Sequence, residues 1–280
     1  MKRIKSILIG ALLTFASVTF AAETNESHWF HFDTPDEIVP STMLENHFAY
    51  DAGIAAAKNG LWLAWLEFVP GKGDELWVDR RGKGGWLSKK RLSAVPADFA
   101  RPTVTLDSEQ KAWLTYEAKD TDGNWNVFVQ SLEERRMFRE ALKVSDMKGA
   151  NINHQVVAFP SDKGLCIIWQ AGSMGQFDIE SCYVNEGGMP QRTFPFPRLP
   201  KTSPDCISCS LFQNEWHPSA AAKPNGELCV AWDSFDGESY NVRVRNLADA
   251  PEKAGVIAGT RAFEGNAQIA SDKNGKLWVS

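Results

Sequence analysis

Arg101, His154 and His217 each lie 15 residues ahead of an aromatic residue, Tyr116, Trp169 and Trp232 respectively, and Asn266 lies 15 ahead of position 281, where the next would fall. Directly after those aromatics stand Glu117, Gln170 and Asp233. Brought to one place, a guanidinium, two imidazoles, two amides and two carboxylates would offer donors and ligands to a polar molecule, a metal or a sugar. Trp216, beside His217, has a flat apolar face suited to a sugar ring and equally suited to packing between sheets. The alternative is that all these groups cap strand ends and bond neighbouring loops.

Familiar catalytic constellations are missing: the chain has no GxSxG, no HExxH and no P-loop. Two histidines with one aspartate suit a metal, but they belong to separate stretches of chain, and neither a metal nor a cofactor is expected. Glu67, Glu117 and Asp233 are candidates for a glycosidase carboxylate pair, whose chemistry depends on their separation. A sialidase-type site would need several arginines; Arg101 and Arg261 are the candidates. Within these residues an enzyme is not the first expectation.

What must position such residues is a repeat. "HPSAAAKPNGELCVAW", ending at Trp232, aligns with "GIAAAKNGLWLAW" ending at Trp65, "PTVTLDSEQKAWLTY" at Tyr116 and "QVVAFPSDKGLCIIW" at Trp169. A fifth copy, "AQIASDKNGKLWVS", reaches Ser280. The anchors are 51, 53 and 63 residues apart, the longest gap holding the Pro-rich stretch 194–210. Each copy reads as a small-residue strand, a polar turn (Lys58-Asn59-Gly60, Asp162-Lys163-Gly164, Pro224-Asn225-Gly226, Lys273-Asn274-Gly275) and a strand alternating up to the aromatic. Glycine in these turns is expected to supply positive φ. A third strand follows, as in "NWNVFV" (124–129), "QFDIES" (176–181) and "SYNVRVR" (239–245), then a weaker fourth, as in "AGVIAG" (254–259). Alternation of period two with regular turns means antiparallel β structure. Four strands per repeat of about 50 residues is the pattern of a β-propeller blade. The fold class is therefore all-β, with blades at about 49–98, 99–150, 151–212 and 213–263, and a partial one at 264–280. The four anchors are expected to pack between blades.

These repeats resemble the blades of secreted bacterial propellers of the TolB-like and sialidase-like type, over nearly all of the chain beyond its leader. The resemblance implies a propeller with its first strands lining a central channel. It carries no catalytic signature: "SDKNGKLW" (271–278) does not fit the sialidase Asp box, and the Gly turns join first to second strands, not third to fourth. By that topology the strand heads and the residues after the anchors ring the channel mouth. In the first repeat the ring position falls at Tyr50 or Asp51, and counting from the turn instead of the anchor shifts the third copy by one residue.

Composition bounds the partners. Lys2, Arg3 and Lys5 precede an apolar run from Ile7 to Phe20 that ends in small residues, the pattern of a signal peptide over 1–21, too short for a membrane span. Export to the periplasm or beyond is expected, without membrane insertion afterwards. Without residues 1–21, 35 acidic and 27 basic side chains leave a net charge of −8, which argues against nucleic acid as a partner. Of five cysteines, Cys206 and Cys209 form a lone CxxC for which a local disulfide is preferred over a redox dithiol. Residues 22–48 are read as an N-terminal segment in which "SHWFHF" (27–32) could supply a closing strand.

The ligand expected at the mouth is a glycan or a protein. The leading functional expectation is a ligand-binding or scaffold module of a longer protein with further domains beyond Ser280; the alternative is a glycan-active hydrolase or lyase. With only part of a fifth blade, residues 22–280 expressed alone should self-associate through open strand edges. Size-exclusion chromatography with light scattering checks this, a sharp monomer peak being the contrary outcome.

Overall fold

The structure is a computed structural model that describes residues 48–87, 89–132, 140–145, 147–160, 163–173, 175–185, 187, 190–191, 207–208, 214–249 and 253–280. Contacts divide the chain into Met1–Ser41 and Thr42–Ser280; the described residues all belong to the second unit. The expected leader, the "SHWFHF" strand and the Cys206/Cys209 pair lie outside them.

Every regular element among the described residues is a β-strand. Blade one comprises β1 (Phe48–Ala57), β2 (Gly60–Val69), β3 (Gly73–Gly82), β4 (Gly85–Trp86) and β5 (Lys90–Arg91). Blade two holds β6 (Phe99–Leu106), β7 (Ala112–Lys119), β8 (Trp125–Ser131) and β9 (Leu142–Lys143). Blade three holds β10 (Ala150–Ala158), β11 (Leu165–Ser173), β12 (Gln176–Val184) and β13 (Pro190–Gln191). Blade four holds β14 (Asn214–Ala222), β15 (Leu228–Phe235), β16 (Tyr240–Asn246) and β17 (Gly255–Ala258), and β18 (Ile269–Ser271) with β19 (Leu277–Val279) begins a fifth. Strands within a blade pair antiparallel in chain order, save that β5 pairs with β3, and one parallel bridge, Ala150 to Trp125, links blades two and three. The first strands β1, β6, β10, β14 and β18 are successive neighbours, which makes them the inner strands of a propeller. A closed ring is not seen.

Turn chemistry explains the hairpins. Asp107 Oδ1 accepts from Glu109 N (2.9 Å) and Lys111 N (3.0 Å), and Asp272 Oδ1 does the same from Asn274 N and Lys276 N at 2.9 Å. A carboxylate that bonds backbone N–H groups two and four residues on fixes the turn without neighbours. Gly226 and Gly275 have positive φ as expected, but Gly164 does not. Its lack of a side chain serves a different need: a Cβ there would sit 2.3 Å from the Tyr183 ring.

The core is a series of apolar wedges between blades. Trp62, Leu66 and Val78 of blade one meet Leu114 and Tyr116 of blade two. Trp113, Val127 and Val129 meet Leu165, Ile167 and Trp169 of blade three. Cys166, Ile168 and Tyr183 meet Leu228, Val230 and Trp232 of blade four. Alternate residues of each second strand thus face opposite neighbours, as the period-two pattern requires. The anchors Tyr116, Trp169 and Trp232 all face the preceding blade. Trp65 is also buried, stacked 6.5 Å from Trp77 with the Lys89 ammonium 4.0 Å from the Trp77 ring centre.

A buried carboxyl borders the wedge between blades three and four. Glu215 of β14 is 1% exposed, and burial pushes its pKa up to about 7. Hydrogen bonds from Ser208 and Trp232 pull it back, the nearby Asp178 of β12 raises it, and Arg243 lowers it slightly.

Two predictions follow from this packing. Replacing Trp232 by Ala should cost about 3–5 kcal/mol, because a fully buried indole leaves a wedge-shaped void; urea unfolding measures it, and a loss near 0.5 kcal/mol would place the ring in solvent. Glu215 binds a proton in both states below its ordinary value of 4.5, and between there and about 7 only the folded state keeps it. Stability should therefore fall as pH rises through that window and level off above it, by roughly 3 kcal/mol in all. Glu215→Gln should flatten that dependence and unfold at higher urea than wild type at pH 8, with no difference at pH 4.

Candidate functional site

The inner strands β1, β6, β10 and β14 each have a break in their pairing near the start. The register shifts between Tyr50 and Ala52, Ala100 and Thr103, Ile152 and Gln155, and Trp216 and Ser219. In blades two to four two residues, Arg101-Pro102, Asn153-His154 and His217-Pro218, lie opposite the single anchor aromatic, one residue in excess; in blade one Asp51 is the extra residue. The first residue of every bulge is left-handed: φ is 45° at Asp51, 52° at Arg101, 56° at Asn153 and 47° at His217. Asn266, ahead of β18, has φ 60°. Left-handed backbone at a residue with a side chain is uncommon, and a bulge re-aims the side chain it carries.

These five residues are the equivalent positions. The sequence count places Arg101, His217 and Asn266 correctly in register, and in the third blade the equivalent is Asn153, with His154 one place further on. The reason is the hairpin: 159–164 separates the paired residues of β10 and β11, one residue more than 107–111 in blade two or 223–227 in blade four. Counting 15 back from Trp169 therefore falls short by one. In blade one the choice between Tyr50 and Asp51 falls on Asp51, which the sequence alone could not single out. A proline after the bulge residue in blades two and four, Pro102 and Pro218, was a usable signal for register.

Side chains of the ring touch where blades adjoin. Asp51 Oδ2 accepts from Arg101 N at 2.6 Å, and Arg101 Nη1 donates to Asn153 Oδ1 at 3.2 Å. Asn153 Nδ2 donates to Gln170 Oε1 at 2.9 Å. Asp51, His217 and Asn266 are exposed, and Arg101 and Asn153 are partly so. Burial, then a hydrogen bond to Asp74, raises the Tyr50 phenol well above its usual value.

The carboxylates after the anchors sit deeper and work as latches between blades. Glu117 Oε1 accepts from His154 N (3.1 Å) and His154 Nδ1 (2.9 Å), with Arg101 Nε 3.8 Å away. His154 is buried, and its Nε2 lies 3.0 Å from Thr115 Oγ1. Asp233 Oδ2 accepts from Asn266 N (2.8 Å) and from His217 Nδ1 (2.9 Å), while Oδ1 takes Ala267 N at 3.3 Å. Glu67, also buried, is held by the Trp65 indole at 3.0 Å and by the Lys89 ammonium.

The loops between second and third strands frame the same end and are stiff. Asp236 Oδ1 accepts from Glu238 N and Ser239 N at 3.0 and 2.9 Å, and Asn241 Nδ2 donates to its Oδ2 at 3.2 Å. The Ser239 backbone bond, followed by that of Glu238, holds the Asp236 carboxyl below its usual range. Asp120 in blade two repeats the device with Asp122 N, Asn124 N and Asn126 Nδ2. Among the described residues no group of three or more His, Cys, Asp or Glu is placed to hold a metal ion.

No known protein-family profile matches the chain, and no curated protein matches it in sequence. Solved structures do match in shape. A protein of unknown function from Dyadobacter fermentans aligns with a TM-score of 0.55 at 7% identity, over 84% of this chain and 75% of that one. An α-L-arabinanase of Penicillium chrysogenum, complexed with arabinobiose, aligns with a TM-score of 0.50 at 13% identity, over 83% and 74%. A thermostable family-43 glycoside hydrolase aligns with a TM-score of 0.45 at 15% identity, over 83% of each chain. Likenesses at such identity speak to fold alone, and the first two, with the strand order above, establish an all-β propeller built of antiparallel blades.

Proposed function

We propose that this protein is glycan-active and takes a saccharide at the channel mouth. The observation that carries this is the set of left-handed bulges, which aim one polar side chain per blade at the same end of the fold. Asp51, Arg101, Asn153, His217 and Asn266 together offer a carboxylate, a guanidinium, two amides and an imidazole. Such an array matches the many donors and acceptors of a polyhydroxylated ligand, and left-handed backbone kept at a residue such as Arg101 is a mark of functional sites. The fold shared with an arabinanase holding arabinobiose agrees with a glycan as the ligand class. Asp51 is the exposed carboxylate of the ring and the group we assign to any acid–base work on the bound saccharide.

A second reading, a ligand-binding or scaffold propeller of the TolB-like type, is favoured by one observation. Glu117 and Asp233 are committed to hydrogen bonds between blades, which removes them from a catalytic pair. In either case the basic and apolar leader supports an exported protein, periplasmic or extracellular.

The test is a panel of arabinan, arabinobiose, xylobiose and 3′-sialyllactose, followed by calorimetry for binding and chromatography for products. The expected result is binding, with Arg101→Ala and Asn153→Ala weakening it at least about tenfold, and product formation that Asp51→Asn abolishes. Binding without products, unaltered by Asp51→Asn, selects the scaffold reading, and no binding by any probe refutes the glycan reading.

A further inference from the structure

We propose that the blade-four side of the mouth holds a subsite for one neutral sugar ring, with Phe263 as its stacking platform and His217 and Asn266 as its polar edge. The inference rests on the glycan reading and adds to it a location and a ligand chemistry.

The platform is the outer member of a cluster of rings. Tyr240 stacks on Trp216 with centroids 5.6 Å apart and meets Phe235 at 4.7 Å and Phe263 at 4.9 Å. Trp216, Phe235 and Tyr240 lie at the mouth ends of β14, β15 and β16, where Trp216 pairs with Asp233 and Phe235 with Tyr240. These three are partly buried and support one another; Phe263 is 67% exposed. An exposed phenyl on a floor of packed rings costs little to hold in place and presents a flat apolar face.

Phe263 is held there by its own loop. Glu264 accepts from Thr260 N through both carboxylate oxygens, at 3.1 and 3.0 Å, and Thr260 Oγ1 accepts from Ala262 N at 3.1 Å. Two residues on, a Cβ at Gly265 would come 3.1 Å from the Phe263 ring and 3.2 Å from Asp233 Oδ2. The ring and the Asp233 carboxylate are therefore separated by little more than a glycine, and a side chain at 265 would push them apart.

The polar edge follows from Asp233. That carboxylate accepts from Asn266 N and so acts as an acceptor toward His217 Nδ1; in the neutral imidazole this leaves Nε2 to accept. The His217 side chain is 52% exposed, so Nε2 is available to a hydroxyl from solvent. Asn266, exposed beside it, adds an amide donor and acceptor. An apolar disc the size of one phenyl, with an acceptor and an amide at its rim, matches the CH face and equatorial hydroxyls of a single sugar. A protein partner would need several hundred Å² of contact per side, far more than one ring offers.

The variants Phe263→Ala, Phe263→Trp and His217→Asn, the last retaining a residue that tolerates left-handed backbone, are titrated with arabinobiose, xylobiose and 3′-sialyllactose. Tryptophan fluorescence and saturation-transfer NMR report binding up to about 10 mM. A neutral disaccharide should bind wild type, lose at least about tenfold in affinity on Phe263→Ala and on His217→Asn, and bind Phe263→Trp as well as wild type or better. Circular dichroism should show all three variants folded, since the substituted side chains are exposed. If a neutral probe binds and Phe263→Ala leaves its affinity unchanged while Arg101→Ala weakens it, the subsite is refuted and the glycan reading stands. If only the sialylated probe binds, the neutral-sugar assignment is wrong. If no probe binds, subsite and glycan reading fall together.

Discussion

A left-handed residue at the head of each inner strand is the constraint from which both the seams between blades and the candidate site derive. The bulge it creates lifts one residue out of the antiparallel ladder, opposite the anchor aromatic in blades two to four, and so frees backbone N–H groups from their strand partners. Buried donors must be satisfied, and at two seams the preceding blade supplies the acceptor: Glu117 for His154 N, and Asp233 for Asn266 N and Ala267 N. At the first seam Asp51 reaches Arg101 N from its own bulge. Burying a carboxylate is costly unless it is well bonded, and each of these is met by charge-assisted bonds from the next blade. Neighbouring blades are thus registered at the mouth by polar bonds and below it by apolar wedges such as that around Trp232.

Much of this was legible in the residues. Alternating second strands, turn aspartates at 107 and 272 and aromatic anchors at near-constant spacing are local features, and local features decide blades. The depth of Trp169 and Trp232 followed from the same alternation. What escaped was set by pairing across strands. One extra residue in the hairpin 159–164 moves the third bulge from His154 to Asn153, and no composition or period reveals which strand absorbs it. Gly164 looked like a turn glycine and is instead a place where Tyr183 comes too close for any side chain.

The candidate site was half legible for a related reason. Glu117, Gln170 and Asp233 sit where the sequence put them, after the anchors, but a position next to the mouth is not exposure to it. Glu117 and Asp233 are turned into the seams, while Arg101, His217 and Asn266 reach solvent. The aromatic floor beneath Phe263 was out of reach of any spacing rule, because its rings come from β14, β15, β16 and the loop before β18.

Left-handed backbone also ranks the ring residues by how far structure alone accounts for them. Asn and Asp enter this conformation readily, so Asn153, Asn266 and Asp51 need little further reason. Arg101 does not, and it carries strain on the order of 1–3 kcal/mol that something must offset; His217 is intermediate, since histidine is found there more often than most residues. For Arg101 a structural offset is visible: its guanidinium bonds Asn153 and lies near Glu117, tying blade two to blade three. Among the described residues His217 bonds Asp233 alone, an acceptor already engaged by Asn266 N and Ala267 N, and half of its side chain faces water. An asparagine would hold that backbone with less strain, and Asp233 would keep its two backbone donors. Packing and latching thus explain His217 least of the five, and what remains to explain it is a half-exposed imidazole whose Asp233 partner lies close to Phe263.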